Sequence, residues 1–244
     1  MKQQRKSWLS KALGAGLLAL VAVACTTETV PGPERGTEYY PVEVGDFRIY
    51  NVVDSIWNED VPTATRFQFR ERVTETFLDA MGKPVFRVVR SRRATATDNW
   101  RDDSVMLVNK TDQTVLVTKN NRRTVDLVFP IREGGTWNLN AYNPIDTIVA
   151  KNRSYARLGE PFEVSSGGGT YRYDATVTTV ADDINLIYPT VWQQVYAKGV
   201  GPVYRVVRRY NYGCPPRSDS GCAFVPGYIK TGHSRTEVLV EYGG

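Results

Sequence analysis

The chain has 244 residues, 41% of them hydrophobic and 23% charged, enough for one large domain with a substantial core. It carries 31 Lys and Arg against 26 Asp and Glu, for a formal charge of +5, with one His and three Cys. That cysteine and histidine supply is too small for a closed structural zinc site, and no cofactor or metal is expected.

Lys2, Arg5, Lys6 and Lys11 form a positive n-region, followed by a run of small and apolar residues over 12–24. The run is shorter than the roughly 20 residues of a bilayer span, and its length and flanks fit a secretory signal. Ala22-Val23-Ala24-Cys25 resembles the lipobox of bacterial lipoproteins, with Ala22 where the pattern more often has Leu. The resemblance implies that residues 1–24 are a signal peptide, cleaved before Cys25, and that Cys25 carries acyl chains such as palmitate. Two or three chains hold a protein firmly on a membrane surface. Thr26, by analogy with better-known bacteria, disfavours inner-membrane retention and points to the outer membrane, with either face open. Without the signal, 27 basic residues face 26 acidic ones, so no nucleic-acid partner is expected.

Residues 25–38 have no apolar periodicity and contain Pro31, Gly32 and Pro33, which predicts a flexible tether. A single domain is then expected over 39–244. Its period is two almost throughout. In 66–78, Phe67, Phe69, Val73 and Phe77 share one face and Arg66, Gln68, Arg70 and Arg72 the other. Further strands are predicted at 47–56, 84–94, 105–108, 114–118, 124–129, 170–180, 191–197, 203–212 and 227–242. The fold class is all-β and antiparallel, with roughly ten strands that must close or split to remove their edges into a barrel, half-barrel or sandwich. Arg87, Arg90, Arg92 and Arg93 are expected on a solvated face. PVFRVVR at 84–90 echoes PVYRVVR at 202–208, either as a duplicated strand unit or as two strands entered from similar turns.

Cys214 and Cys222 remain as an even pair bracketing CPPRSDSGC, a loop that a disulfide closes with a contribution of about 2 kcal/mol. Catalytic constellations are not apparent. No G-x-S-x-G elbow is present, and the lone His233 reads as a turn or edge histidine. Asp102 with Asp103 and Asp182 with Asp183 could serve glycoside hydrolysis by geometry alone, but both pairs read as polar turns. Gly167-Gly168-Gly169 lacks the Lys and hydroxyl of a phosphate loop and reads as a hairpin turn.

YYPVEVGDFRIYNV at 39–52, LVFPIREGGTWNLNAYN at 127–143 and YAKGVGPVYRVVRRYNY at 196–212 resemble the recurrent blocks of a Bacteroidetes envelope lipoprotein family. The first block more often has Trp where Phe47 stands. The resemblance implies a lipid-anchored β-rich envelope protein and brings no activity or catalytic residues. Three acidic-hydroxyl-aliphatic tripeptides match the O-glycosylation pattern of that group, at Ser55, Ser104 and Thr147. The sequence favours a non-enzymatic envelope module that contacts envelope proteins or glycans. A carrier holding an apolar or lipid ligand in a curved sheet is the alternative, with Trp57, Trp100, Trp137 and Trp192 available as its lining, and a glycan hydrolase stands third.

Overall fold

The structure, a computed structural model, describes residues 34–143, 149–181, 185–216 and 221–244. The signal peptide, Cys25 and the tether up to residue 33 lie outside them. Among the described residues, the alternating sequence forms twelve strands. They are β1 (Phe47–Asn58), β2 (Val61–Leu78), β3 (Pro84–Arg93), β4 (Arg101–Lys110), β5 (Thr114–Lys119) and β6 (Arg122–Val128), then β7 (Thr136–Asn138), β8 (Asn152–Ser166), β9 (Gly169–Ala181), β10 (Thr190–Ala197), β11 (Gly201–Tyr212) and β12 (Ile229–Gly243).

All strands join one antiparallel sheet in the order β6-β5-β4-β3-β2-β1-β12-β11-β10-β9-β8-β7. Pairing of β1 with β12 joins the two ends of the domain and leaves β6 and β7, consecutive in the chain, as facing edges. Those edges meet through one backbone bond, Val125 N to Leu139 O at 2.8 Å, and the sheet is a nearly closed barrel. Two-residue turns with both residues at positive φ, Glu59-Asp60 and Asn120-Asn121, make two of its hairpins.

Cross-strand register identifies the inner face. Tyr50 lies opposite both Leu239 and Phe69, and Val52 opposite both Glu237 and Phe67. Tyr50, Tyr196, Leu127 and Leu239 have no exposed surface, and each such burial stabilises the fold by about 1.5–3 kcal/mol. At the end where the chain leads in, the base, Tyr39, Tyr40 and Val42 pack with Val73, Val108 and Leu127. Residues 34–38, expected in the tether, belong to this compact unit. Arg35 O accepts from Ile131 N at 3.0 Å, and Lys198 pairs with Glu34 and Glu38 at 2.8 and 3.4 Å.

Strands β7 and β8 are absent from the elements that alternation predicts. The first has three residues, and the second bends at Arg157 and Gly159, both at positive φ, which breaks the alternation. Glu133 accepts from Arg157 N (3.1 Å) and Leu158 N (2.8 Å), satisfying donors that the bend releases. Beyond the bend the β8–β9 hairpin lies over the outer wall, with Phe162 on Tyr204 and the Tyr173 hydroxyl reaching Leu239 O. At its tip, a Cβ on Gly167 (φ 61°) would sit 2.7 Å from Asn51 Nδ2, so this position needs glycine for both conformation and space.

The two echoed heptapeptides fall on β3 and β11 but face opposite ways. In β3, Arg90 points inward and Arg87 pairs outside with Glu75, whereas in β11 Arg205 points inward and Arg208 is exposed. Bulges at Val73/Glu75 and Val195/Tyr196 set the two phases independently. The first bulge also carries Phe77, expected on the inner face with Phe67 and Phe69, out to 44% exposure.

Cys214 and Cys222 are bonded to each other across the β11–β12 connection. Replacing both with Ser is expected to lower stability by about 2 kcal/mol in urea unfolding, with the strand signal in circular dichroism unchanged. Unchanged stability would place the bond outside the cooperative unit.

Candidate functional site

Above the apolar base, the lumen is crossed by an ion lattice. Arg205 of β11 donates to Glu71 of β2 at 2.8 and 3.2 Å and to Glu237 of β12 at 3.0 Å. Arg90 of β3 donates to both Glu71 and Glu237. Strands β2 and β11 are separated by β1 and β12, so such contacts form only across the concave side of a curved sheet. Each guanidinium also lies over a lumen ring, Arg205 over Tyr50 at 4.8 Å and Arg90 over Phe69 at 4.6 Å. Burial pushes the Glu71 carboxyl upward, but Arg205 and Arg90 outweigh it and hold the group well below the usual carboxylate range. Glu237 is depressed for the same reason, with Arg90 its larger partner.

At the opposite end, the mouth, a second set forms. Arg235 donates to Asp54 at 2.9 and 3.1 Å, and His233 Nε2 lies 2.7 Å from Asp54 Oδ1. Burial raises the Asp54 carboxyl, while Arg235 and His233 more than offset it and keep the group ionised. An ionised carboxylate only accepts, so His233 carries its proton on Nε2. Histidine here sits within a central strand between β1 and β11, not at a turn or edge. Among the described residues no hydroxyl or thiol hydrogen-bonds to its ring.

Arg153 of β8 shares this level. Register places Ala181 of β9 opposite both Arg153 and Trp192, and the Arg153 guanidinium lies over the Trp192 ring. Arg153 is 5% exposed, and its Nε and Nη1 have no hydrogen-bond partner, nor has the buried Tyr196 hydroxyl deeper in. Burial lowers the Arg153 guanidinium to about 9, against an opposing pull from Asp126. The Asp126 carboxyl is itself pushed up by burial, although Arg153 and Thr124 draw it down.

Several expected site residues are placed elsewhere. Arg90 and Arg92 leave the solvated face on which they are expected, Arg90 for the ion lattice and Arg92 for the inner side, 3.9 Å over the Phe67 ring. Asp102 and Asp103 lie within β4, not in a turn, and accept from Ser91 and Ser104. Asp182, Asp183 and Thr147 lie outside the described residues. Ser55 is in β1 and Ser104 in β4, both partly buried. Gly167 and Gly168 form the β8–β9 turn. Of the tryptophans, Trp57 meets Tyr210 edge to face, Trp100 lies beneath Arg70 and Arg93, Trp137 lines the β6–β7 seam and Trp192 the mouth.

The ion lattice is not foreseen by the sequence reading, although one signal points to it. Glu71 is in phase with Phe67, Phe69 and Val73, a charge on the apolar face of its strand. Among the described residues no three His, Cys, Asp or Glu side chains converge to hold a metal ion. A cleft at the base, between Arg48, Val200 and Tyr242, measures about 220 Å³. That is below the roughly 300–1,000 Å³ of small-molecule pockets. No protein family, curated protein or solved structure matches this chain.

Proposed function

We propose that the chain is a lipid-anchored envelope protein, held at the outer membrane through Cys25, whose barrel has a structural or interaction role. The observation that carries this reading over an apolar-ligand carrier is the lumen, which its own side chains occupy. Tyr50, Tyr196 and Leu239 are fully buried there beside four charged groups of the ion lattice. A lipid tail entering that space would have to displace paired charges, which costs far more than burial of its methylenes returns. Recognition then falls to the outer surfaces and the mouth.

Mass spectrometry of the exported protein tests both halves of the reading. Wild type is expected to carry two or three acyl chains on Cys25. The Cys25→Ser variant, purified without detergent, is expected to fly as bare polypeptide two hydrogens lighter than its reduced mass. Unmodified Cys25 would overturn the anchor, and lipid-sized adducts on the variant would favour the carrier.

A further inference from the structure

The inward-facing positions at the mouth carry a cation surplus. Arg92, Lys119, Arg122, Arg153, Arg209 and Arg235 come from six different strands. Register fixes their side of the wall. Lys119 pairs with Met106, a core residue, and with Arg122, while Arg209 pairs with His233. Among the described residues, five carboxylates stand near them, of which Glu71 and Glu237 are already engaged by Arg90 and Arg205. Asp54 is engaged by Arg235 and His233, Asp103 accepts from Ser104, and Asp126 is half-buried, with Arg153 acting on it. The base, by contrast, mixes the two signs, with Glu34 and Glu38 paired to Lys198 and Arg48 buried beside them. A concave mouth lined mainly by one sign of charge concentrates the field there.

A second, independent observation lies in the same row. Arg153 is 5% exposed yet leaves two donor nitrogens, Nε and Nη1, unmatched. Native proteins rarely tolerate buried donors without an acceptor unless something else supplies one. Arg235, at the far end of the same register row through Ala181, Trp192 and Val207, is about one-third exposed, so the level is reached from outside. Guanidinium groups only donate, and their planar fork matches the oxygens of carboxylates and phosphates.

We propose that the mouth of the barrel is a binding site for an oxyanion, a carboxylate or phosphate borne by a sugar-sized ligand, with Arg153 and Arg235 as inner contacts and Arg92 and Arg209 at the rim. This rests on the interaction role above but not on the lipid anchor, because acylation is read by mass at Cys25 and the mouth by titration of the unacylated protein.

The test is calorimetric titration of the Cys25→Ser chain with D-glucuronate, inorganic phosphate and, as a neutral control, glucose. Glucuronate or phosphate is expected to bind and glucose not, with affinity falling as salt is raised. Binding of glucuronate alone identifies a carboxylate ligand, and of phosphate alone a phosphoryl ligand. Arg153→Gln is expected to weaken binding about tenfold, the equivalent of one charge-assisted contact. Arg92→Gln, at an exposed position whose guanidinium lies over the Phe67 ring, is expected to weaken it about threefold with the strand signal in circular dichroism unchanged. Failure of both anions to bind overturns the proposal, as does equal affinity in wild type and both variants.

Discussion

Replacing Glu71 with Gln is expected to lower the unfolding free energy by about 3–5 kcal/mol at neutral pH. Its carboxylate faces both Arg90 and Arg205, each largely withdrawn from water, and Glu237 alone cannot neutralise two guanidinium groups. An amide keeps the volume of the side chain and removes the charge, so the loss reports the uncompensated cations and not a cavity. Urea unfolding at constant slope would measure it. In combination with Arg205→Met, the loss should be smaller than the sum of the two single losses, because the double variant removes one orphaned cation together with its partner. Strict additivity would mean that these groups do not act as one unit.

The same carboxylates set the response to acid. Glu71, Glu237 and Asp54 are all depressed in the folded state, so their stabilisation is fully present above the unfolded carboxylate range near pH 4.3 and is lost as pH falls through the folded values. Asp126, raised by burial, has the opposite sign, and three depressed groups outweigh it. Wild type should therefore lose stability steeply below about pH 4.5. The Glu71→Gln substitution removes one contributor, so the gap between wild type and variant should close as pH falls. A gap that stays constant with pH would assign the loss to packing.

Ten of the strands are legible because period-two alternation survives in them, and the β1–β12 pairing that makes a barrel is not, because it joins segments at opposite ends of the domain. What alternation cannot report is phase. PVFRVVR and PVYRVVR differ in one letter, yet bulges in their pairings turn opposite sets of residues inward. For that reason the arginines of β3 read as a solvated face, although Arg90 is 6% exposed. The basic mouth is illegible for a related cause, since its six members come from six strands whose ends only the closed sheet brings together. By contrast the cysteine pair is legible, because loop length and composition carry it without any knowledge of register.

Closure of the barrel rests on side chains where the ladder ends, and Tyr155 is the principal one. Its hydroxyl accepts from Val128 N at 2.7 Å and donates to Val128 O at 2.8 Å, replacing the strand partner that β6 lacks on that edge. Its ring packs 4.5 Å from that of Trp137, whose Nε1 donates to Val125 O at 2.8 Å. Tyr155→Phe is expected to cost about 1–3 kcal/mol, since it strands both Val128 groups. Tyr155→Ala should cost about 3–5 kcal/mol, because it also removes a buried ring. In the Phe variant, hydrogen exchange at the Val125 and Val128 amides should accelerate more than at β1 and β12, marking a local opening of the seam below the global unfolding energy. Uniform acceleration across all strands would mean that the seam opens only when the whole barrel unfolds. Arg153 lies two residues from Tyr155 on the same inner face of β8, so an opened seam also loosens the floor of the basic mouth. Tyr155→Phe should accordingly weaken oxyanion binding although Tyr155 touches no ligand, which distinguishes a mouth assembled by barrel closure from a set of independent surface arginines.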